Sequence, residues 1–196
     1  MTLTLETSSS GPPAATSLTV SNATGPYGGP TTLSATLTSA GSGVGGKNIN
    51  FYLNGNSVGT AMTDSGGLAT LSGVSLSGIN SGDYPAGISA SFSGDANYSI
   101  SSGSGTLIIY KAAATVAIIN LSQTYTDSPL ALTAITVPAG LSVVWTGAPQ
   151  TAAGSYPVTA TIDDSNYQGS VSGTFTINKA APIPTRGKGT SLFPLP

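Results

Sequence analysis

Apolar residues recur along this chain at every second position. Thr16-Ser-Leu-Thr-Val-Ser21 places Leu18 and Val20 on one side. Thr32-Leu-Ser-Ala-Thr-Leu37 does the same with Leu33, Ala35 and Leu37, and Asn48-Ile-Asn-Phe-Tyr-Leu53 with Ile49, Phe51 and Leu53. Such alternation marks a strand buried on one face. Asn54-Gly55 follows the third run directly. Both residues favour left-handed backbone angles, so the pair predicts a type I′ hairpin returning through Ser57-Val-Gly-Thr60. Asp64-Ser-Gly-Gly67 is a second turn, and Leu68–Leu71, Ala86–Phe92 and Thr106–Tyr110 complete a first set of strands. A shorter second set comprises Thr115–Ile119, Leu130–Val137, Leu141–Thr146, Tyr156–Ile162 and Ser172–Ile177. Short strands separated by turns at this spacing predict an all-β fold of sandwich or barrel type.

An internal repeat divides the chain. Gly82-Asp-Tyr-Pro85, Asp95-Ala-Asn-Tyr98 and Gly105-Thr-Leu-Ile-Ile-Tyr-Lys-Ala112 recur as Gly154-Ser-Tyr-Pro157, Asp164-Ser-Asn-Tyr167 and Gly173-Thr-Phe-Thr-Ile-Asn-Lys-Ala180. The offsets between Tyr84 and Tyr156, Tyr98 and Tyr167, and Lys111 and Lys179 are 72, 69 and 68 residues. Loop insertions account for the drift. The expected organisation is an N-terminal extension over 1–13, a first module over 14–112, a smaller second module over 113–180 and a proline-rich tail over 181–196. Almost no linker separates the modules, which predicts a stiff, elongated pair.

Composition narrows the chemistry. Charged residues make up 6% of the chain, against about 25% in an average soluble domain. Five Lys and Arg and a net charge of −2 give no basic patch, which argues against nucleic-acid binding. Lys179, Arg186 and Lys188 cluster near the end and read as a solvated tail. There is no Cys and no His, which removes thiol chemistry, disulfides, most zinc sites and the commonest general base. No apolar run reaches 18 residues, so no transmembrane helix is expected. Residues 1–20 lack the charged and apolar regions of a signal peptide. The chain is therefore either an internal piece of a longer exported protein with an added Met1, or a protein that reaches a surface by another route, as a virion component does.

Residues 14–112 resemble the bacterial Ig-like repeat domain of large surface proteins. The resemblance rests on Tyr27-Gly28, Leu33–Leu37, Ile49-Asn-Phe-Tyr-Leu-Asn-Gly55, Gly66-Gly-Leu-Ala-Thr70, Ala90–Tyr98 and Thr106–Ile109, with Gly94-Asp-Ala-Asn-Tyr98 the most diagnostic segment. Residues 113–180 resemble the MBG-type module found beside such repeats, through Pro138-Ala-Gly-Leu141, Gly154–Ala160 and Asp164-Ser-Asn-Tyr-Gln-Gly169. Trp145 departs from that pattern, which has Tyr there. The resemblance implies two tandem immunoglobulin-like antiparallel β-sandwich modules. It implies no single function, because these modules serve as spacers, stalks and adhesive units.

Each candidate site has a structural reading beside the functional one. Asp95, Asn97 and Tyr98, and Asp164, Asn166 and Tyr167, form corners in which the Asp and Asn side chains bond nearby backbone groups and the Tyr packs behind. The functional alternative is Ca²⁺, which takes six to eight oxygens. Asp163 adds a carboxylate to the second corner only, so Asp163, Asp164 and Asn166 form the better calcium candidate. Otherwise no cofactor is expected. Lys47, Lys111 and Lys179 lie beside strands, as an isopeptide bond would require, but no buried acid accompanies them. Trp145 shares a face with Leu141 and Val143, which reads as core; exposed, its indole would stack on a sugar. Tyr52 points opposite Phe51 and is the other ligand-binding candidate. Sequons at Asn22, Asn97 and Asn120 arise readily in a Ser/Thr-rich chain.

The acids are scattered at turns, no Gly-x-Ser-x-Gly elbow is present, and Gly41-Ser-Gly-Val-Gly-Gly46 lacks the Lys-Ser/Thr pair and the following helix of a phosphate loop. No enzymatic activity is expected. The function expected is a structural and adhesive surface module, outside the cell or on its surface, that packs with copies or neighbouring subunits. Leu3 and Leu5, in an alternating Thr2–Glu6 segment, and Leu192 and Phe193 in the tail are the expected assembly contacts. Two alternatives stand beside it, a bacteriophage decoration or tail protein and a carbohydrate-binding module. The partners expected are other subunits and, in the carbohydrate-binding alternative, glycans, with neither nucleic acid nor membrane insertion.

Overall fold

The computed structural model describes residues 11–182, so Leu3, Leu5, Leu192 and Phe193 lie outside the described residues. All regular structure among the described residues is β. Two compact units emerge, one formed by residues up to Ala113 together with Asp164–Gln168, the other by Ala114–Asp163 and the residues from Gly169.

The first unit contains β1 (Ser17–Val20), β2 (Ala23–Pro26), β3 (Pro30–Ser39), β4 (Ser42–Gly43), β5 (Asn48–Leu53), β6 (Asn56–Met62), β7 (Leu68–Ser75), β8 (Gly82–Phe92), β9 (Ser101–Tyr110) and β10 (Ala112–Ala113). One sheet sets β3 between β1 and β7, with β4 on its far end; the other runs β2-β9-β8-β5-β6. The alternating runs behave as their pattern dictates. Leu33, Ala35, Leu37, Ile49 and Phe51 are fully buried, and they meet Ile88 and Leu107 in one core. The Asn54-Gly55 turn is present, with φ of 46° and 81°. β1 passes close over β9, and that approach explains Gly105: a Cβ there would lie 2.8 Å from the Ser21 carbonyl oxygen. The crossing also lets the chain switch sheets, with Asn22 Oδ1 accepting from the Thr106 N–H at 2.8 Å.

Two features of this unit escape the sequence pattern. β2 carries Gly25 and Pro26 and has no alternation; it is held by parallel pairing with β9. β8 begins four residues earlier than its apolar run, with a register shift between Tyr84 and Ile88 around Ala86, whose φ is 57°. Gly82-Asp-Tyr-Pro85 is therefore the first leg of a bulged strand.

The second unit contains β11 (Thr115–Ile119), β12 (Ser122–Thr124), β13 (Thr133–Val137), β14 (Val143–Thr146) and β15 (Gly154–Ile162). After β16 (Tyr167–Gln168), which belongs to the first unit, it closes with β17 (Ser170–Asn178). Its sheets are β11-β13 and β12-β17-β15-β14. The expected strands over Leu130–Val137 and Leu141–Thr146 are shorter here. Leu130 makes only an isolated bridge to Gln150, and Gly140 takes a φ of 84°, which turns the chain before β14. Val158, Phe175, Ile177 and Leu132 form the centre of the core, and Trp145 packs at its border.

Candidate functional site

The repeat motifs build matching local devices. Asp95 Oδ1 accepts the N–H groups of Asn97 and Tyr98 at 2.8 and 2.9 Å. Asp164 Oδ1 accepts those of Asn166 and Tyr167 at 2.7 and 3.0 Å. Each Asp thereby closes a turn with its own side chain, as its residue type favours. The two Tyr-Pro motifs agree as well. Tyr84 Oη donates to the Asn80 carbonyl at 2.8 Å, and Tyr156 Oη to the Ala152 carbonyl at 2.9 Å.

The surroundings of the corners differ. At the first, Lys47 Nζ donates to Asp95 Oδ2 at 2.6 Å and lies 4.9 Å from the centre of the Tyr98 ring. The ammonium hydrogen bond, followed by the N–H of Asn97, holds the Asp95 carboxyl below the usual carboxylate range. Buried Thr63 fixes the backbone of Lys47: its Oγ1 accepts the Lys47 N–H at 2.9 Å while donating to the Val44 carbonyl at 2.7 Å. At the second corner, Lys111 Nζ donates to the carbonyl of Asp164 at 2.6 Å. Asn166 Oδ1 accepts the Ser81 N–H at 2.8 Å, and the Tyr167 ring meets Tyr27 edge-on at 5.4 Å. Within the first unit this corner thus works as a structural joint.

The calcium candidates fall as follows. Asp164 Oδ1 and Asn166 Oδ1 both carry N–H donors. The Asp163 backbone N–H donates to the Ser142 carbonyl. Among the described residues no three His, Cys, Asp or Glu side chains are grouped as a metal would need. Of the aromatic candidates, Trp145 is half-buried on β14, with Leu141 and Val143 similarly half-buried, and it packs on the core of the second unit. Tyr52 is half-buried on the outward face of β5.

That outward face is the feature the sequence left unresolved. Register places Asn50 opposite Ser91 and Thr60, and Tyr52 opposite Ser89 and Ser57. β8 in turn sets Ser91 opposite Ser102 and Ser89 opposite Ser104. The first unit's other sheet repeats the theme, with Thr36 beside Thr19 and Ser34 beside Thr70. In the second unit Thr159 lies between Thr146 and Ser172. These outward rows carry hydroxyls and amides where sandwiches ordinarily place charges. A shallow cavity of about 290 Å³ opens at one end of the β5 row, lined by Lys47, Asn48, Asn50, Ser93 and Asp95. A larger one, about 530 Å³, is bordered by Thr24, Thr31, Thr32 and Gly73 and has neither charge nor aromatic ring in its wall.

Residues 114–181 match the family model of the MBG domain. No curated protein matches the chain. Among solved structures, the chain is similar to titin domains Z1Z2 in complex with telethonin, at 13% identity over 83% of this chain and 94% of that one, with a TM-score of 0.40. Murine CEACAM1b is similar at 9% identity over 83% and 100%, with a TM-score of 0.40. The fibronectin(III)-like modules of Clostridium thermocellum CbhA are similar at 15% identity over 83% and 94%, with a TM-score of 0.33.

Proposed function

We propose that this chain is a non-catalytic structural and adhesive module of an extracellular or cell-surface assembly, acting through its sheet faces and edges. The observation that carries this reading is the uncharged outward faces, where Thr36, Ser34, Thr159 and Ser172 stand in cross-strand rows. A surface free of charge has no like-charge penalty against a copy of itself, and its hydroxyls act as both donor and acceptor. The MBG domain in the second half supports the same reading. Leu3, Leu5, Leu192 and Phe193 supply apolar contacts to neighbouring subunits in this account. A bacteriophage virion component made of the same modules is the alternative setting.

Sedimentation velocity over a concentration series, paired with retention on intact bacterial cells, tests the proposal. The chain is expected to self-associate or to be retained. Thr36→Lys and Thr159→Lys, which place a charge in each face, are expected to reduce that binding, as are deletions of residues 1–13 and 185–196. A chain that stays monomeric and passes through unretained contradicts the proposal.

A further inference from the structure

We propose that the outward face of β5 and β8 in the first unit is a binding site for a neutral oligosaccharide, with Tyr52 as the stacking platform and Asn48, Asn50 and Ser91 as the hydrogen-bonding groups. This deepens the adhesive reading and rests on it. Asn48, Asn50 and Tyr52 occupy alternate positions of one strand, so their side chains leave the same face. They span about 13 Å along it, the length of a short oligosaccharide rather than of a single sugar. Ser91 lies directly opposite Asn50. The shallow cavity at the Asn48 end sets Ser93 and the Lys47–Asp95 pair beside the end of the row. A register shift between Phe51 and Tyr52 on the β6 side puts a bulge beside the ring, the kind of irregularity that re-aims a side chain at a functional edge.

Chemistry selects the ligand. Among the described residues no hydrogen bond occupies the side-chain amides of Asn48 or Asn50, which leaves two donors and one acceptor oxygen on each. A sugar hydroxyl both donates and accepts, and so does an amide–hydroxyl lattice. The apolar C–H face of a pyranose matches an aromatic ring set among polar groups. An anionic ligand finds only Lys47, which Asp95 already neutralises at 2.6 Å. A protein partner would find a single aromatic ring, Tyr52, in this row and no Arg anchor of the kind that makes interface hot spots.

The test is titration calorimetry and amide chemical-shift mapping of the full chain with cello-, manno-, xylo- and chito-oligosaccharides. At least one is expected to bind and to shift the amides of Asn50, Tyr52 and Ser91. Tyr52→Ala is expected to weaken that binding at least about tenfold. Asn50→Ala, a milder change at a half-exposed position, guards against a folding artefact and is expected to weaken it several-fold. Thr133→Ala, at an exposed position of the second unit, is expected to leave it unchanged. If no oligosaccharide binds, or if both face variants bind as the parent does, the site is overturned. A chain retained on cells or by a protein partner without binding any oligosaccharide sinks the sugar site and leaves the adhesive reading standing; a chain that binds nothing sinks both.

Discussion

Among the described residues, Phe51 is one of 18 buried apolar side chains that form the core of the first unit, and Phe175 is one of seven buried apolar side chains in the second. Both are fully buried. The same closing motifs, Tyr-Pro and Asp-x-Asn-Tyr, are thus set on cores of very different size. The difference teaches that the shared motifs fix local turns, whereas the number of alternating strands fixes how much apolar surface is removed from water. Among the described residues the first unit has nine strands outside β10 and β16 and long ladders between β8 and β9; the second has two short strands in its smaller sheet.

The sharpest way to break this comparison is to empty the two cores. Deleting a buried Phe side chain costs about 3–5 kcal/mol, close to the whole stability of a domain under about 80 residues. Phe175→Ala is therefore expected to abolish the second unit's unfolding transition in calorimetry, while Phe51→Ala lowers the first unit's midpoint and leaves it folded. Two transitions of equal midpoint, equally sensitive, would refute the contrast.

A glycine pair gives the next effect. Gly105 and Gly173 hold the same place in the repeat, yet a Cβ at Gly105 would meet the Ser21 carbonyl oxygen at 2.8 Å, and one at Gly173 would meet side-chain methyls at ordinary contact distance, those of Leu121 at 3.4 Å and of Ile118 at 3.7 Å. Gly105→Ala is expected to destabilise the first unit by about 1–3 kcal/mol. Gly173→Ala is expected to be near neutral by urea titration. The tyrosine hydroxyls should sharpen the likeness instead. Tyr84→Phe and Tyr156→Phe each remove one hydrogen bond to a carbonyl four residues back, and each is expected to cost up to about 1 kcal/mol by the same titration.

The smallest expected effect separates the corners by pH. Asp95 titrates below its usual value because of Lys47. The stabilisation this brings is present above the unfolded carboxylate value, near 3.8, and is lost as pH falls through the lower folded value. Thermal melts from about pH 5 to about pH 2 should show this loss in the first unit, and Lys47→Met should reduce it, the N–H groups of Asn97 and Tyr98 holding the rest.

Much of this architecture is legible in the sequence because alternation is a strictly local signal. Leu33, Ala35 and Leu37, and Ile49, Phe51 and Leu53, announce their buried face within one run. Asn54-Gly55 announces its turn through backbone preference alone. The MBG resemblance over the second half rests on motifs of the same local kind, and residues 114–181 match that domain. What the sequence does not show is pairing. β2 has no apolar rhythm and exists because β9 offers a parallel edge. Lys47 and Asp95 are 48 residues apart, and only the fold brings them to 2.6 Å. Tyr52 is legible as outward-facing, but the neighbours that make it a binding candidate, Ser89 and Asn50 with Ser91, depend on the register between β5 and β8.

Residue-resolved hydrogen exchange of the intact chain tests the contrast between the two units most directly. The amides of Phe51, Ile88 and Leu107 are predicted to open only at the first unit's full unfolding free energy. Those of Val158, Phe175 and Ile177 should exchange at least about tenfold faster, with a lower and separate opening free energy. Equal protection across both sets, with one shared opening free energy, would contradict the account.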